Sequence, residues 1–390
     1  MPRTMQALVY DKSAMPWDKT EGFAKREMPR PVLDEAADPA DGGNVVVKMI
    51  YAGFCGSDRG IWHRTAFKGH IFESLKRERR TTRIIGHELV GEIVEVGSRV
   101  PALYGYRPKD IVSSESHIIC GTCHQCRIGQ THICANDTII GISRDGCFAE
   151  YIKLPAKVLW PTNKRLIKLK VAAIQEPFGN AVHACMKADL RGKTVGVFGC
   201  GTIGLFVIMV AKALGATKVV GVEPVAKNRE MALKVGADAV IPLEPSGTAK
   251  HGWAADKDVV KAVRAEARGI GVDVALEMAG FNNSVNNAIQ STRRGGEVVL
   301  FGLKQGNFHI QQFDRLIVNG ITLHSVIGRR IFETWVVTRN LLEDKANGIQ
   351  KRIHEVILDG GDDTVVHIDD FAPGTFAAKL AAWPKLLIEF

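Results

Sequence analysis

The sequence predicts an α/β protein in which residues 171–328 form a parallel, doubly wound sheet and residues 1–170 form a β-rich domain. Beyond residue 190, predicted strands alternate with predicted helices, which is typical of a parallel sheet covered on both faces. A glycine-rich turn follows the first of these strands. The last segment, residues 329–390, ends in Lys385-Leu-Leu-Ile-Glu-Phe390, and we expect it to return to the first domain as a strand.

Each element of this fold has a local signal. In the first domain, period-two alternation of apolar residues predicts strands at 6–10, 44–54, 89–96 and 148–155. The segment 60–83 is polar and basic and resembles an insertion, and a helix at 176–188 leads into the glycine turn. The parallel sheet is predicted from strands at 194–198, 218–222, 239–242, 272–277, 297–302 and 321–327, with helices at 225–235, 256–267 and 282–292 and a final helix at 330–342.

The glycine-rich turn reads Gly199-Cys-Gly-Thr-Ile-Gly204 and leads from a strand into an apolar helix. Gly199 allows the tight turn, Gly201 lets a pyrophosphate approach the backbone, and Gly204 lets the helix pack closely on the strand. The N-terminus of the helix offers free N–H groups and a partial positive charge to phosphates. The turn therefore predicts a dinucleotide site.

An acidic residue ends the second strand of this region. Glu223 lies about 20 residues beyond the turn, the distance at which a carboxylate meets the hydroxyls of an adenosine ribose. A carboxylate there would repel the 2′-phosphate of NADP, so NAD is the predicted cofactor. Lys227 and Arg229 lie close enough in sequence to keep NADP as the alternative.

Composition excludes several classes of protein. The chain has 390 residues, 46% of them hydrophobic and 24% charged, which is typical of a soluble globular protein. No stretch reads as a transmembrane segment or a secretory signal, so we expect a cytoplasmic protein without a membrane partner. The net charge is +9, but we expect no nucleic-acid partner, because aromatic residues are not interleaved with the basic ones. One basic cluster consists of Lys76, Arg77, Arg79, Arg80 and Arg83. It is either a solvated face or a group of charges that attracts an anionic substrate.

Four of the eight cysteines form a compact loop with the spacing Cys120-x2-Cys123-x2-Cys126-x7-Cys134. Four thiolates can surround one tetrahedral zinc and leave no open position, so the loop predicts a structural zinc site. An iron–sulfur cluster is the competing interpretation. Polar and basic residues in the loop, in place of a proline-terminated cluster motif, favour zinc.

A second metal site is suggested by residues from separate elements. Cys55-Gly-Ser57-Asp58 and Gly86-His87-Glu88 flank two predicted strands, and Glu176 begins a predicted helix. A thiolate, an imidazole and a carboxylate are ordinary ligands of a catalytic zinc, which keeps a position open for water or substrate. The alternative is that His87 is a core histidine and Cys55 a small hydrophobic residue.

Taken together, these motifs resemble the zinc-dependent medium-chain dehydrogenase/reductase superfamily, and within it they look most like the threonine dehydrogenases. The resemblance covers nearly the whole chain. The stretches that carry it are Cys55-Gly-Ser-Asp58, Gly86-His-Glu88, the loop ending Gly129-Gln-Thr-His-Ile-Cys134, Gly146-Cys-Phe-Ala-Glu-Tyr151, Glu176-Pro-Phe-Gly-Asn-Ala-Val-His183, the glycine turn and Phe332-Glu-Thr-Trp335.

The resemblance implies a GroES-like domain that carries both zinc ions, a Rossmann domain that binds NAD, and an active site between them. It implies that Cys55, His87 and Glu88 hold the catalytic zinc, with Glu176 as a fourth, intermittent ligand. It implies assembly into homotetramers or dimers. The cofactor would be lined by Gly199, Gly201, Thr202, Ile203, Gly204, Glu223, Arg229, Phe301, Gly302, Leu303, Val326 and Ile327.

The chain departs from threonine dehydrogenases at the proton relay. Ser57 keeps the hydroxyl of the family's threonine, but the relay histidine would fall at Gly60. His63, a water chain or His117, which matches a family histidine near the substrate, are the candidate replacements. We therefore expect oxidation of a secondary alcohol, with a hydroxy amino acid, a diol, a sugar alcohol or an anionic hydroxy compound as substrate. A zinc-ribbon nucleic-acid binder and a catalytically silent relative remain alternatives.

Overall fold

The structure, a computed structural model, describes residues 3–244, 251–303 and 306–390. It divides into two compact units. The first comprises Met1–Pro177 together with Leu358–Phe390, and the second comprises Phe178–Ile357. The chain thus returns to the first unit at Leu358, later than the expected residue 329.

The strands of the described residues, in chain order, are β1 (Thr4–Asp11), β2 (Ala24–Pro29), β3 (Asn44–Phe54), β4 (Thr82–Ile84), β5 (Glu88–Val96), β6 (Ile111–Ser114), β7 (His117–Ile118), β8 (Thr138–Ile139), β9 (Tyr151–Pro155), β10 (Leu159–Pro161), β11 (Thr194–Phe198), β12 (Lys218–Glu223), β13 (Ala239–Pro242), β14 (Val272–Glu277), β15 (Thr292–Leu300), β16 (Thr322–Ser325), β17 (Val365–His367) and β18 (Leu386–Glu389).

The α-helices of the same residues are α1 (Gly56–Trp62), α2 (Lys68–Arg77), α3 (Val100–Tyr104), α4 (His124–Arg127), α5 (Leu169–Ala172), α6 (Gln175–Cys185), α7 (Thr202–Ala213), α8 (Ala226–Val235), α9 (Lys257–Glu266), α10 (Asn282–Ser291), α11 (Phe313–Val318), α12 (Glu333–Glu343), α13 (Ile349–Arg352) and α14 (Pro373–Ala382). None of these helices is both long and apolar enough to span a membrane.

The first unit is built on a seven-stranded sheet with β3 at its centre. β3 pairs antiparallel with β5, β9 and β18, so the last strand of the chain completes the sheet, as the sequence predicts. Aromatic rings hold α1 and α14 against β3. Phe54 lies 5.6 Å from Phe148 and 5.0 Å from Phe376 between ring centroids, and Trp62 lies 5.3 Å from Phe376. Each such pair contributes about 1 kcal/mol beyond its buried area.

The second unit contains a six-stranded, all-parallel sheet in the order β13-β12-β11-β14-β15-β16. This is the order of a doubly wound dinucleotide-binding sheet, and it confirms the predicted fold class. α7 is buried from Gly204 to Ala211, because this helix is apolar on all sides and lies in the core.

Two parts of the first unit differ from their predicted structure. The basic segment 60–83 is not an open insertion, because it contains the end of α1, the whole of α2 and the start of β4. The strand predicted at 148–155 begins only at Tyr151. Before that point the backbone of Phe148 bonds to two different segments: its N–H donates to the carbonyl of Ile85, just after β4, and its carbonyl accepts from Leu8 N of β1.

Candidate active site

A thiol, an imidazole and a carboxylate meet where β3 ends and β5 begins. The two strands are antiparallel with Gly53 opposite Glu88, so Cys55 leaves β3 at the point where His87 enters β5. One ligand atom of each of Cys55, His87 and Glu88 lies within 4.8 Å of the other two. A Cβ on Gly53 would lie 2.0 Å from Glu88 Oε2, so a larger residue would displace this carboxylate from its present position.

The carboxylate of Asp58 lies beside the ring of His87. Nδ1 of the ring lies 3.6 Å from Asp58 Oδ1, and Asp58 Oδ2 accepts a hydrogen bond from Cys55 N at 2.9 Å. Nε2 of the ring lies 3.3 Å from Ser57 Oγ. A carboxylate beside one ring nitrogen leaves the other nitrogen available to a metal, which is the usual arrangement behind a histidine ligand.

The electrostatics of this cluster favour a positive charge. Burial raises the pKa of Asp58 to about 6, although His87 lowers it. Burial acts to lower the pKa of His87, but the carboxylate of Asp58 and the thiol of Cys55 act more strongly together, so this pKa is raised. Buried acidic groups that stabilise a cation are what a bound metal ion requires.

Glu88 is completely buried, and its two carboxylate oxygens have different environments. The Lys385 ammonium donates to Oε2 and also to the carbonyl of Phe54 at 3.2 Å. Among the described residues, Oε1 has no hydrogen-bond partner. A buried unsatisfied oxygen is costly, and a metal bound at Oε1 would satisfy it. The sulfur, nitrogen and oxygen donors present therefore fit a zinc ion.

Glu176 lies in the first turn of α6 and is 4% exposed. Its Oε1 accepts a hydrogen bond from Ser116 Oγ at 2.7 Å. Its charge contributes to the raised pKa of His87. Glu176 is not part of the three-residue group whose ligand atoms lie within 4.8 Å of one another. It is therefore placed near the cluster without joining it in this structure.

The four cysteines of the predicted structural site also come together. All four ligand atoms lie within 4.8 Å of one another, and the sulfur of Cys134 lies 3.5 Å from that of Cys120 and 3.9 Å from that of Cys123. Tetrahedral coordination with Zn–S bonds of about 2.3 Å requires sulfurs about 3.8 Å apart. The residues present therefore fit a zinc ion held by Cys120, Cys123, Cys126 and Cys134.

The four thiols cannot all ionise without a cation. Hydrogen bonds from the N–H groups of Thr122 and Cys123 lower the pKa of Cys120 to about 5. Burial and the hydrogen bond to Cys123 raise the pKa of Cys126 to about 12. A metal ion supplies the positive charge that keeps all four as thiolates.

The candidate relay residues lie in different surroundings. Ser57 and Gly60 are three residues apart on α1 and share one face of the helix. His63, six residues after Ser57, lies about 240° further round the helix axis. Its Nδ1 lies 3.4 Å from the exposed carboxylate of Glu21. This geometry disfavours His63 as the replacement for the missing relay histidine.

His117 has a carboxylate partner that the sequence did not suggest. Its Nδ1 lies 2.5 Å from Asp137 Oδ2, across the short pairing of β7 with β8. The preceding residue, Ser116, bonds Glu176. The His117–Asp137 pair is therefore adjacent in sequence to Ser116, which hydrogen-bonds the candidate fourth ligand, Glu176.

The glycine-rich turn has the geometry that a dinucleotide requires. Apart from its two chain neighbours, no described residue has an atom within 4 Å of a Cβ built on Gly201, so open space remains where a pyrophosphate would approach. A Cβ on Gly204 would lie 2.0 Å from the carbonyl oxygen of Gly199, so only glycine fits. Glu223 is 5% exposed, and its Oε2 accepts a hydrogen bond from Cys200 N at 2.7 Å. This bond places the acid directly against the turn.

The remaining predicted cofactor residues follow neighbouring strands of the same sheet. Arg229 lies in α8, and its Nη1 donates to the carbonyls of Glu223 at 3.2 Å and Pro224 at 2.5 Å. Residues 301–303 follow β15, and residues 326–327 follow β16. The carboxyl ends of parallel strands form the edge at which open α/β sheets bind ligands.

Two of the five basic residues of the segment 76–83 form ion pairs, whereas Lys76, Arg77 and Arg79 are exposed, so attraction of an anionic substrate by the segment stays a prediction. Arg83 is completely buried and pairs with Glu78 at 2.9 Å and with Asp145 at 3.1 Å. Arg80 pairs with Asp145 at 2.6 Å. These two arginines join α2 and β4 to the loop around residue 145, because a buried guanidinium needs carboxylate partners.

Sequence reasoning missed three residues of the site. Asp58 belongs to the motif Cys55-Gly-Ser57-Asp58, but the sequence did not indicate that its carboxylate lies beside the His87 ring. Lys385 lies 297 residues from Glu88, and no local pattern links them. Asp137 follows the cysteine loop closely, but only the pairing of β7 with β8 brings it to His117.

The fold and the two clusters define the class of this protein, a zinc-dependent dehydrogenase. Family models for the alcohol dehydrogenase GroES-like domain and the zinc-binding dehydrogenases match residues 41–164 and 202–344, respectively. Together with the relatives below, they show that the chain belongs to the zinc-dependent alcohol dehydrogenase family. The family assignment supports zinc over an iron–sulfur cluster and a dehydrogenase over a nucleic-acid binder.

The relatives include L-threonine 3-dehydrogenase from Caldanaerobacter subterraneus subsp. tengcongensis, 36% identical over 82% of this chain and 84% of the relative. Solved structures with similar folds include 2R,3R-butanediol dehydrogenase from Bacillus subtilis, with a TM-score of 0.76 and 25% identity over 99% of both chains. A protein described as a zinc-binding dehydrogenase from Sinorhizobium meliloti 1021, bound to NADP, has a TM-score of 0.77 and 25% identity over 100% of both chains.

Proposed function

We propose that the protein oxidises a secondary alcohol reversibly, with Cys55, His87 and Glu88 as ligands of a catalytic zinc and Glu176 as an exchangeable fourth ligand. The observation that carries the proposal is the convergence of the three ligand atoms within 4.8 Å beside a buried carboxylate oxygen that lacks a partner among the described residues. We assign the four-cysteine loop to the structural zinc. These thiolate sites suit a reducing compartment such as the cytoplasm.

When bound, zinc would lower the pKa of the substrate hydroxyl and NAD would accept the hydride. Ser57 accepts the proton from the substrate at Oγ, which lies 3.3 Å from His87 Nε2. Asp58 keeps the His87 ring in place during this transfer. Gly60 cannot carry a proton onward, so we assign the next step to water or to His117, which Asp137 orients.

The substrate we propose is an L-threonine-like hydroxy amino acid, with diols and polyols as the second candidate class. The first choice rests on the relative named L-threonine 3-dehydrogenase, and the second on the similarity to a butanediol dehydrogenase. Both classes present a second polar group beside the reacting hydroxyl, and an exchangeable Glu176 would leave a metal position for it.

A substrate screen tests this function. We expect L-threonine or a vicinal diol to drive reduction of NAD, followed at 340 nm as a standard readout of the reduced nicotinamide, with slower reduction of NADP because Glu223 repels a 2′-phosphate. Hydroxy acids, amino alcohols and sugar alcohols form the rest of the panel. Absence of turnover across the panel, in protein with full zinc content, would favour a catalytically silent relative.

We further propose that the chain forms a homo-oligomer, a dimer or a tetramer, through the β16 edge of the parallel sheet. Within the part of the chain that the structure describes, β16 pairs on one side only, with β15. The adjoining helix α11 exposes Phe313 by 57% and Ile317 by 72%, and Leu323 of β16 is 37% exposed. An apolar patch beside an open strand edge suits a two-fold contact with a second copy.

The oligomer is tested by light scattering coupled to size exclusion. We expect the mass of a dimer or tetramer for the wild type, and a smaller species for Ile317→Lys, because a lysine would place a charge in the apolar contact. The matched control is Leu233→Lys, since Leu233 is a 52% exposed apolar residue of α8, away from β16. A monomeric wild type would contradict the proposal.

A further inference from the structure

The second unit carries a groove that neither the metal clusters nor the glycine-rich turn uses. The groove has a volume of about 670 Å³ and lies between α9, the end of α10 and the start of α11. Its charged lining residues are all basic, and three glutamines supply amide groups. We call this cavity the basic groove. Its charged and amide-bearing lining residues are Lys257, Lys261, Arg264, Arg315, Gln290, Gln311 and Gln312.

The cations of the basic groove have no carboxylate partner among the described residues, whereas several lysines elsewhere in the unit do. Lys193, Lys212 and Lys218 each pair with a carboxylate, at 3.2, 2.6 and 2.6 Å. Within the described ranges, no ion pair involves any of the groove's four cations. Glu266 of α9 is already engaged with Lys218. An uncompensated cluster of like charges in a concavity attracts an anion.

Part of the groove wall is held in place before any ligand arrives. Arg264 is half-buried, and its guanidinium donates to Gln290 O at 3.1 Å and to Thr292 O at 3.4 Å. Gln311 Oε1 accepts from Ala255 N at 2.8 Å, and Gln290 Nε2 donates to Gln311 O at 3.1 Å. Lys257 and Lys261 are exposed and can move to meet a ligand. Because the wall is already fixed, the order lost on binding is confined to the two lysine side chains, which suits capture of a small ligand.

The spacing of the cations indicates the size of the ligand. Lys257, Lys261 and Arg264 stand at positions i, i+4 and i+7 of α9 and share one face. They span about 10 Å along the helix axis, at 1.5 Å per residue. Two phosphate groups separated by a sugar cover a similar length. The amides of the three glutamines can hydrogen-bond hydroxyl groups.

The lining disfavours other anions. A nucleobase or a single-stranded nucleic acid stacks on aromatic side chains, and none of the residues that line the groove is aromatic. The volume is in the range of small-molecule sites. We propose that the basic groove binds a small bisphosphorylated sugar or polyol, at a site separate from the dinucleotide turn.

Calorimetric titration of the full-length, zinc-loaded protein with fructose 1,6-bisphosphate tests this proposal. NAD is present at saturation, so that the probe cannot bind at the glycine-rich turn. We expect one site per chain for the bisphosphate and no binding of fructose. The double variant Lys257→Gln/Lys261→Gln should bind the probe about tenfold more weakly or worse, because charge-assisted contacts to phosphate are lost.

The control removes the same charge from another part of the same unit. Lys234→Gln/Lys345→Gln replaces two exposed lysines outside the groove and should bind the probe like the wild type. Arg315→Gln provides a second variant within the groove and should also weaken binding. Equal losses in both double variants would show only an effect of net charge and would overturn the proposal. Lack of binding to the wild type would also overturn it, without bearing on the dehydrogenase activity.

Discussion

Replacing Cys55 with serine is expected to lower kcat/KM for the alcohol substrate by about 10³-fold, because a catalytic zinc supplies several kcal/mol of transition-state stabilisation and each 1.4 kcal/mol is a factor of ten. The zinc content should fall by about one ion per chain, since each site holds one metal. The four-cysteine loop is formed by other residues, so its zinc should remain. Metal analysis by mass spectrometry and steady-state kinetics on the same sample give both quantities.

Cys126→Ser is the matched control, because it makes the same change at the other cluster. It should also lose about one zinc ion, but the main effect should be a lower melting temperature, because a structural zinc contributes folding energy. Turnover per folded molecule should be largely retained. If Cys55→Ser kept full turnover, or if Cys126→Ser alone abolished it, the assignment of the two sites would be wrong.

Replacing Lys385 with methionine is expected to destabilise the first unit by about 3–5 kcal/mol, the usual cost of removing one partner of a buried ion pair. The side chains of Lys385 and Glu88 are 2% and 0% exposed, so bulk water does not reach the carboxylate to replace the lost ammonium. Methionine keeps the apolar stem and isolates the effect of the charge. A melting temperature about 10 °C lower is the corresponding change for a unit of this size, measured by differential scanning fluorimetry.

Two further variants test whether the loss of stability in Lys385→Met comes from the unpaired carboxylate of Glu88. Lys385→Met combined with Glu88→Gln should recover much of the lost stability, because the uncompensated carboxylate is removed. Lys379→Met breaks the exposed pair with Asp363, whose atoms lie 3.6 Å apart, and should cost less than about 1 kcal/mol. Unchanged stability in Lys385→Met would mean that Glu88 does not depend on the ammonium for its charge balance.

Local patterns predicted those parts of the fold that depend on local interactions. The strand, turn and helix around Gly199 follow from glycine geometry and apolar runs, so β11 and β13 have their predicted bounds. β15, predicted at 297–302, instead spans Thr292–Leu300, because its first residue also pairs with β14, across a change of register.

Contacts between residues far apart in the chain could not be predicted from the sequence. Arg83 of the basic segment is buried and pairs with Asp145, whereas Lys76, Arg77 and Arg79 stay exposed; no local pattern near residue 83 indicates that residue 145 is its partner. The fourth metal-ligand position likewise depends on a contact between distant parts of the chain. Glu176 was expected by resemblance, yet its distance from the cluster depends on packing of α6, so its role stays a prediction until metal and substrate are bound.

The pairing of β18 with β3 has a consequence for how the protein is made. β3 leaves the ribosome early, but its neighbour spans Leu386–Glu389, and the ammonium that neutralises Glu88 comes just before it. The nascent chain must therefore carry an unfinished sheet while the whole second unit is synthesised. Chaperones would have most to protect during that interval, and ribosome-stalled chains that lack the last six residues should bind them longest.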